Sequence, residues 1–555
     1  MTTTADIRTV VIGGGIAGLS TATLLAREGH HVTLLEKNAQ VGGRTGIFEK
    51  DGFRFDTGPS WYLMPQVFEH FFQLLGTSAA EQLDLEYLHP AYRVFAQPTG
   101  DDTDRRHREP VTIPYGRQRV REVFEQIEPG SGARFDRYLA SSIRTTELAQ
   151  RYFLYNPFTR WRSLIRREVL TGIPKLVSLL ATSLERYVAQ RFKDPVLRQI
   201  LGYPAVFLGT NPADAPAMYH LMSALDLGEG VQYPMGGFHR IVERLEELAR
   251  ASGVEIKTNA QVTHIRTGDL LQHGSQLTRS LRRIWPSGQR RQVRGVSWRD
   301  RSAVEHFETA DYVVSAADLH HTETSLLSAS ERSYPQRWWN RRTSGPGAVI
   351  ALLGVRGELP ELPHHSLFFT EDWTKNFDAI FGDHPQIPDP ASLYVCKPSA
   401  TDDTVAPRGH ENLFVLIPVP ADPRIGHGGT AHSADPLVEQ TVNTAIEQIA
   451  KWADIPDLHE RIVVQQTIGP ADFATDYFSW KGGMLGPAHT LSQSAMFRPA
   501  NTSKKVRGLL YSGATTSPGV GVPMCLISAE LVLKSIRGDH TPGPLPTADQ
   551  TDGGA

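Results

Sequence analysis

Gly13, Gly15 and Gly18 stand in the spacing G-x-G-x-x-G, with a carboxylate following at Glu36. These residue types suit the binding of a dinucleotide. Gly13 permits a tight turn, Gly15 lets backbone approach a pyrophosphate, and Gly18 lets a helix pack closely on a strand. A helix starting here would aim unpaired N–H groups and a partial positive charge at the diphosphate. An acid placed like Glu36 accepts hydrogen bonds from ribose hydroxyls and repels a 2′-phosphate.

The spacing carries meaning only if the flanking elements fit. Residues 9–12, TVVI, are a β-branched run suited to a buried parallel strand. A helix runs to about Glu28, and Gly29 is a natural stop. Residues 32–35 form a second strand, which Glu36 ends. The alternative is a glycine-rich turn in another α/β fold. The order of strand, turn, helix, strand and acid favours the dinucleotide.

Composition narrows the class. A chain of 555 residues exceeds one core, so two intertwined domains are expected. With 40% hydrophobic and 21% charged residues it is globular, and a net charge of −3 gives no electrostatic case for nucleic acid. Two cysteines, Cys396 and Cys525, build no disulfide framework, fit a reducing cytoplasm and suggest no metal centre. The first ten residues lack a signal-peptide core, and no uncharged apolar run reaches the ~18–20 residues that cross a bilayer. Lying on a membrane surface remains open.

Along the chain, residues 66–76 read as a core helix and 118–127 as an amphipathic helix, with a polar loop at 100–110. Residues 161–192 interleave Arg162, Arg166, Arg167, Lys175, Arg186 and Arg191 with apolar positions. Such a pair of basic amphipathic helices suits either an anionic membrane or core packing. Residues 266–294 carry arginines around the lone Trp285 and read as a solvated hairpin insertion. Buried strands are expected at 311–318, 347–355, 392–395 and 413–419, and 462–468 is expected to return to the first domain. The strand at 509–512 feeds a small-residue loop and a helix from about Met524 to Ile536; the tail 537–555 is expected to be disordered.

Two resemblances add to this. Residues 41–45, VGGRT, and 55–60, FDTGPS, resemble the large flavoprotein family that includes amine oxidases, in which the first loop covers the flavin diphosphate and the second lies near the isoalloxazine ring. This implies FAD. More of the chain, about 8–535, resembles the bacterial-type carotenoid (phytoene) desaturases. The matching blocks are YPMGGFHRIVERL at 233–245, ADYVVSAADLHHT at 310–322, LPHHSLFF at 362–369, NFDAIF at 376–381, SLYVCKPSATDDTVAPRG at 392–409, LSQSAMFRP at 491–499 and LLYSGATTSPGVGVP at 509–523. Thr515 and Ser517 depart from the family's usual residues, and the 266–294 insertion is longer and more basic than usual.

The resemblance implies an α/β fold in which a Rossmann-like FAD-binding domain (1–115, 231–340, 466–536) interleaves with a mixed-sheet and helical substrate domain (116–230, 341–465). It implies FAD contacts at Gly13, Gly15, Ile16, Ala17, Gly18, Glu36, Lys37, Gly43, Arg44, Gly58, Pro59, Ser60, Val262, Gly513, Ala514, Gly519, Val520, Gly521 and Val522. The implied activity is stepwise desaturation of phytoene towards lycopene or a shorter polyene, with hydride passing to flavin N5 and oxygen or a quinone as final acceptor. No side-chain base stands out; His364 and His365 read as strand-end residues. A polyene hydrocarbon does not diffuse freely in water, so a cytoplasmic protein associated peripherally with the membrane is implied. The alternatives are a related carotenoid-modifying flavoenzyme (end-group desaturase, oxygenase or saturase), a flavin amine oxidase, and a non-catalytic lipid-binding protein on the same fold. The complete glycine and acid motifs argue against the last.

Overall fold

The computed structural model describes residues 7–98, 109–158, 177–269, 289, 291–430 and 432–547. The strand Arg8–Ile12 lies at the centre of a five-stranded parallel sheet ordered Leu509–Tyr511, Tyr312–Ser315, Arg8–Ile12, His31–Leu35, Glu255–Lys257. Segments distant in sequence therefore meet in one sheet. The helix Ile16–Arg27 connects the first two strands and is buried from Ile16 to Leu25. It packs against the last helix, Val522–Arg537, in a core with Phe68, Phe71 and Phe72 of the helix Pro65–Leu74.

A second sheet has seven strands, ordered Ile462–Ile468, Gly347–Arg356, His410–Val419, Leu393–Cys396, His365–Phe369, Tyr92–Ala96, Val111–Ile113. The helix Pro436–Trp452 covers one face with Val438, Val442, Ile446 and Ile449. The strand Gly347–Arg356 is buried on both faces from Gly347 to Val355, which explains its unbroken apolar run. Helices, among them Arg117–Ile127, Ser131–Ala149 and Pro195–Gly202, form a third region whose core centres on Phe124, Phe135 and Phe192.

Several boundaries differ from expectation. Tyr92–Ala96 and Val111–Ile113 lie before residue 116 yet pair into the seven-stranded sheet, with Tyr92–Ala96 parallel to His365–Phe369. Ile462–Ile468 does not return to the first domain; it pairs antiparallel with Gly347–Arg356. Local pattern marks each segment as a strand, but strand partners are a long-range choice. The start of the tail is packed, not disordered. Lys534 Nζ donates to the carbonyls of Thr541 and Gly543 at 2.6 Å, Leu545 N donates to Glu530 Oε1 at 2.6 Å, and the Leu545 side chain is buried.

The arginine-rich insertion begins and ends as an antiparallel pair, Gln261–Asp269 with Arg291–Arg299, and Arg291 is paired to Asp269 and Glu331. Trp285 and most of the basic run lie outside the described residues. So does 159–176, the first half of the basic amphipathic region. In its second half Leu179, Leu184, Val188 and Phe192 are buried and Val177 is exposed. No helix among the described residues is long and apolar enough to cross a membrane.

The hairpin of Ile47–Lys50 and Phe53–Asp56 is tied to the glycine block at 233–245. Asp56 accepts hydrogen bonds from Phe238 N at 2.6 Å and His239 N at 2.8 Å, and burial pushes its carboxyl up to about 6. A side chain at Gly237 would come within 3.0 Å of that carboxylate, so the block needs glycine there.

Candidate functional site

One cavity of about 570 Å³ runs from the glycine turn into the space between the seven-stranded sheet and the helical region. It is lined by Gly13, Gly15, Ile16, Ala17, Glu36, Lys37, Gly43, Arg44, Gly58, Pro59, Ser60, Val262, Gly513, Ala514, Gly519, Val520, Gly521 and Val522. Of the residues expected to contact FAD, only Gly18 is absent from the wall. Its role is the close packing expected of it: a Cβ there would sit 1.9 Å from the Gly13 carbonyl oxygen.

The turn end of the cavity offers hydrogen-bond donors. The helices Ile16–Arg27 and Val522–Arg537 have glycine N-caps, Gly15 and Gly521, with no side-chain cap, and both caps line the wall. Arg44 donates through Nη2 to Ser479 Oγ at 2.6 Å, while its buried Nε has no partner among the described residues. A Cβ on Gly15 would have no atom nearer than 3.8 Å, so the cradle is open at this point. Uncapped helix termini, a free guanidinium N–H and an open cradle fit a diphosphate. Glu36 is buried; Gly14 N donates to Oε2 at 2.7 Å and Asn38 N to Oε1 at 2.8 Å, which fixes the carboxylate at the end of its strand. These residues fit the diphosphate and ribose of a dinucleotide.

The C-terminal loop is held from behind by residues whose roles the sequence did not reveal. Arg498, fully buried, donates through Nη2 to Ala514 O at 2.7 Å and through Nε to Thr516 O at 3.2 Å. Burial lowers its pKa to about 10, so it stays cationic. Asn501 Nδ2 donates to Ser517 O and Ser528 Oγ, each at 3.0 Å, and Ser528 Oγ accepts from Gly513 N at 2.9 Å. Arg498 lies in the LSQSAMFRP block, but nothing in the sequence says what it holds.

The rest of the wall is apolar, with Phe153, Phe207, Met222, Phe369, Trp373 and Phe377 among its residues. Polar groups are few on this side. Tyr203 donates to Asp226 Oδ2 at 3.2 Å, and Tyr92 donates to the same oxygen at 3.3 Å. Asp226 is buried, and desolvation pushes its carboxyl up to about 7. Tyr394 Oη lies 2.7 Å from Ser60 Oγ and 2.8 Å from His365 Nδ1.

His365 opens its strand as a fully buried residue, and the antiparallel register sets it opposite Cys396. With His364 these residues bring potential ligand atoms within 4.8 Å of one another, whereas the sequence suggested no such cluster. Strand pairing, invisible to a motif search, makes the difference. Burial holds both imidazoles well below their ordinary range and the thiol up near 12, so all three are neutral.

The sequence profile of the flavin containing amine oxidoreductase family matches residues 16–532. The chain is 39% identical to the carotenoid 3,4-desaturase of Haloarcula japonica over 95% of its own length and 98% of the relative's. It is 31% identical to the zeta-carotene-forming phytoene desaturase of Myxococcus xanthus over 95% and 93%. Among solved structures, an oxidoreductase from Methanosarcina mazei superposes with a TM-score of 0.57 at 16% identity, covering 95% of this chain and 100% of that one.

Proposed function

The chain belongs to the flavin containing amine oxidoreductase family, and from that premise we propose that it is an FAD-dependent carotenoid desaturase of carotenoid biosynthesis. The observation that carries the reading is the continuity of the cavity: a diphosphate-fitting cradle opens directly into an apolar chamber. The residues around Gly15, Arg44 and Gly521 would hold the FAD diphosphate, and Glu36 its ribose. The flavin, when bound, supplies a hydride acceptor; this chain's residues align the polyene, exclude water and manage the proton. Aromatic and aliphatic walls suit a hydrocarbon, which gains about 0.8 kcal/mol for each methylene-sized unit withdrawn from water.

Two positions of attack on the polyene are open. Similarity to a phytoene desaturase supports stepwise dehydrogenation of phytoene, and the higher identity to a carotenoid 3,4-desaturase favours a carotenoid that is already conjugated. FAD-loaded protein is offered each substrate in liposomes and the extracted lipid is separated by chromatography. The expected result is a longer chromophore from at least one of them. Unchanged lipid from both, with FAD bound and an acceptor present, would overturn the reading.

The substrate's insolubility supports peripheral membrane association. Leu491, Met496 and Phe497 are exposed and flank Ala495, which lines the cavity. These side chains would enter the acyl region as the cavity draws substrate from the bilayer. Phe497→Asp is expected to weaken sedimentation with vesicles of phosphatidylcholine and phosphatidylglycerol by about tenfold or more, the effect of losing one buried aromatic. Unchanged sedimentation would place the contact elsewhere.

A further inference from the structure

We propose that Tyr394, its hydroxyl held between Ser60 and His365, takes the proton released as each new double bond forms. This rests on the desaturase reading above. As hydride leaves a saturated carbon, positive charge builds over the neighbouring alkene, and the adjacent C–H must give up its proton in the same step inside a water-poor cavity. A proton so activated needs no strong base, only an oxygen or nitrogen lone pair in the right place with somewhere to pass the charge.

Tyr394 meets both needs. Its strand, Leu393–Cys396, sets the ring in the cavity wall. Its hydroxyl lies 2.7 Å from Ser60 in the Gly58-Pro59-Ser60 turn, which places it where the cofactor cradle meets the apolar chamber. Behind it, His365 Nδ1 lies at 2.8 Å. Trp61 stacks on the imidazole, with ring centres 4.5 Å apart. His365 Nε2 is buried with no partner among the described residues, so Tyr394 is the hydrogen-bond contact through which this imidazole is engaged there.

His489 and Asp318, also on the wall, are engaged differently. His489 has Nδ1 against Leu208 O at 2.9 Å and Nε2 against Arg498 Nη1 at 3.1 Å. Asp318 accepts from His320 N at 2.8 Å and Trp480 N at 3.4 Å. Asp226 is not in the wall and is reached only through Tyr203.

The step balances as follows. When bound, FAD would supply the hydride acceptor, and one carbon would give up its hydride as its neighbour gives up a proton. The electron pair of the neighbouring C–H bond becomes the new π bond, and its proton passes to Tyr394 Oη as the tyrosine's own proton moves to His365 Nδ1. His365 ends as an imidazolium and Tyr394 is restored. Burial disfavours the His365 imidazolium, but a C–H beside a developing carbocation is far more acidic, so the transfer to His365 runs downhill.

The test is anaerobic flavin bleaching after mixing FAD-loaded protein with the polyene in liposomes. Tyr394→Phe is expected to retain FAD and slow bleaching by about 10²-fold or more. His365→Gln keeps a hydrogen-bond acceptor but no base, and is expected to slow it by about tenfold or more. Wild type is expected to bleach more slowly in deuterium oxide, and Tyr394→Phe to lose that slowing; a merely structural tyrosine would not move this readout. FAD-loaded Tyr394→Phe within about threefold of wild type, or wild type with no solvent deuterium effect, would overturn the proposal. So would a loss confined to Tyr203→Phe, which would assign the proton to the Asp226 pair. If Tyr394→Phe does not hold FAD, His365→Gln and the wild-type isotope effect decide. Wild type that no polyene bleaches would remove the desaturase reading, and this proposal with it.

Discussion

Gly15→Val yields a folded protein that binds FAD far more weakly than wild type. At this helix cap φ is −74° and ψ −179°, extended backbone open to any residue. An added Cβ meets nothing nearer than Gly42 O at 3.8 Å, so the chain itself has room for a Cβ there. The space it fills is the cradle in which a diphosphate would rest against the first turn of Ile16–Arg27. Overpacking of this kind costs about 1–3 kcal/mol or more, which is about 10- to 10²-fold or more in FAD affinity. Gly18→Val is the contrast. Its Cβ would overlap the Gly13 carbonyl at 1.9 Å, so the strand-to-helix turn itself must break and folding is lost. Circular dichroism and bound-flavin absorbance separate the two: Gly15→Val keeps its helix signal and holds less flavin, and Gly18→Val loses both. A yellow Gly15→Val with wild-type flavin content would place the diphosphate elsewhere.

The second large effect is on stability against pH. Asp226 has an ordinary carboxyl pKa of 3.8 when unfolded and about 7 when folded. Desolvation is the main cause and outweighs hydrogen bonds from Leu227 N at 2.9 Å and the two tyrosines. Between these pH values the folded chain binds more protons than the unfolded one, so stability from this group is fully present below 3.8 and is lost as pH rises through about 7. At about 1.4 kcal/mol per pH unit, the loss is on the order of 4 kcal/mol at most. Asp226→Asn removes the titrating group while leaving an oxygen for Tyr203 and Tyr92. Thermal melts from pH 5 to 8 are expected to show a smaller fall in Tm for Asp226→Asn than for wild type, and a higher Tm for the variant at pH 8. Parallel curves would mean that the wild-type carboxyl is not the source of the slope.

Legibility in the sequence followed the range of the interactions. The glycine turn, Glu36 and the Gly43-Arg44 loop were readable because a strand, a turn and a helix adjacent in sequence make them, and the structure gathers them into one wall. The small-residue loop before Val522–Arg537 was readable for the same reason. Partners across the fold were not. Tyr92–Ala96 reads as a strand wherever it pairs, and nothing local sends it beside His365–Phe369. Tyr394 and His365 sit in ordinary strand patterns, and only the antiparallel register and the Ser60 turn make them neighbours. Asp226 could have been suspected as an acid in an apolar stretch, but its tyrosine partners come from a strand far back in the chain and from the turn between Pro195–Gly202 and Pro204–Phe207.

The central claim is that one cavity holds a flavin and a polyene together so that a C–C unit is oxidised. Anaerobic single turnover tests it directly, with FAD-loaded protein mixed with phytoene or an already conjugated carotenoid in liposomes. The visible flavin band and the lipid chromophore are followed in the same sample. The account predicts that the flavin band bleaches as the polyene band grows, with one new double bond for each flavin reduced. Flavin that stays oxidised while polyene is bound, or bleaching by amines and not by polyenes, would contradict it.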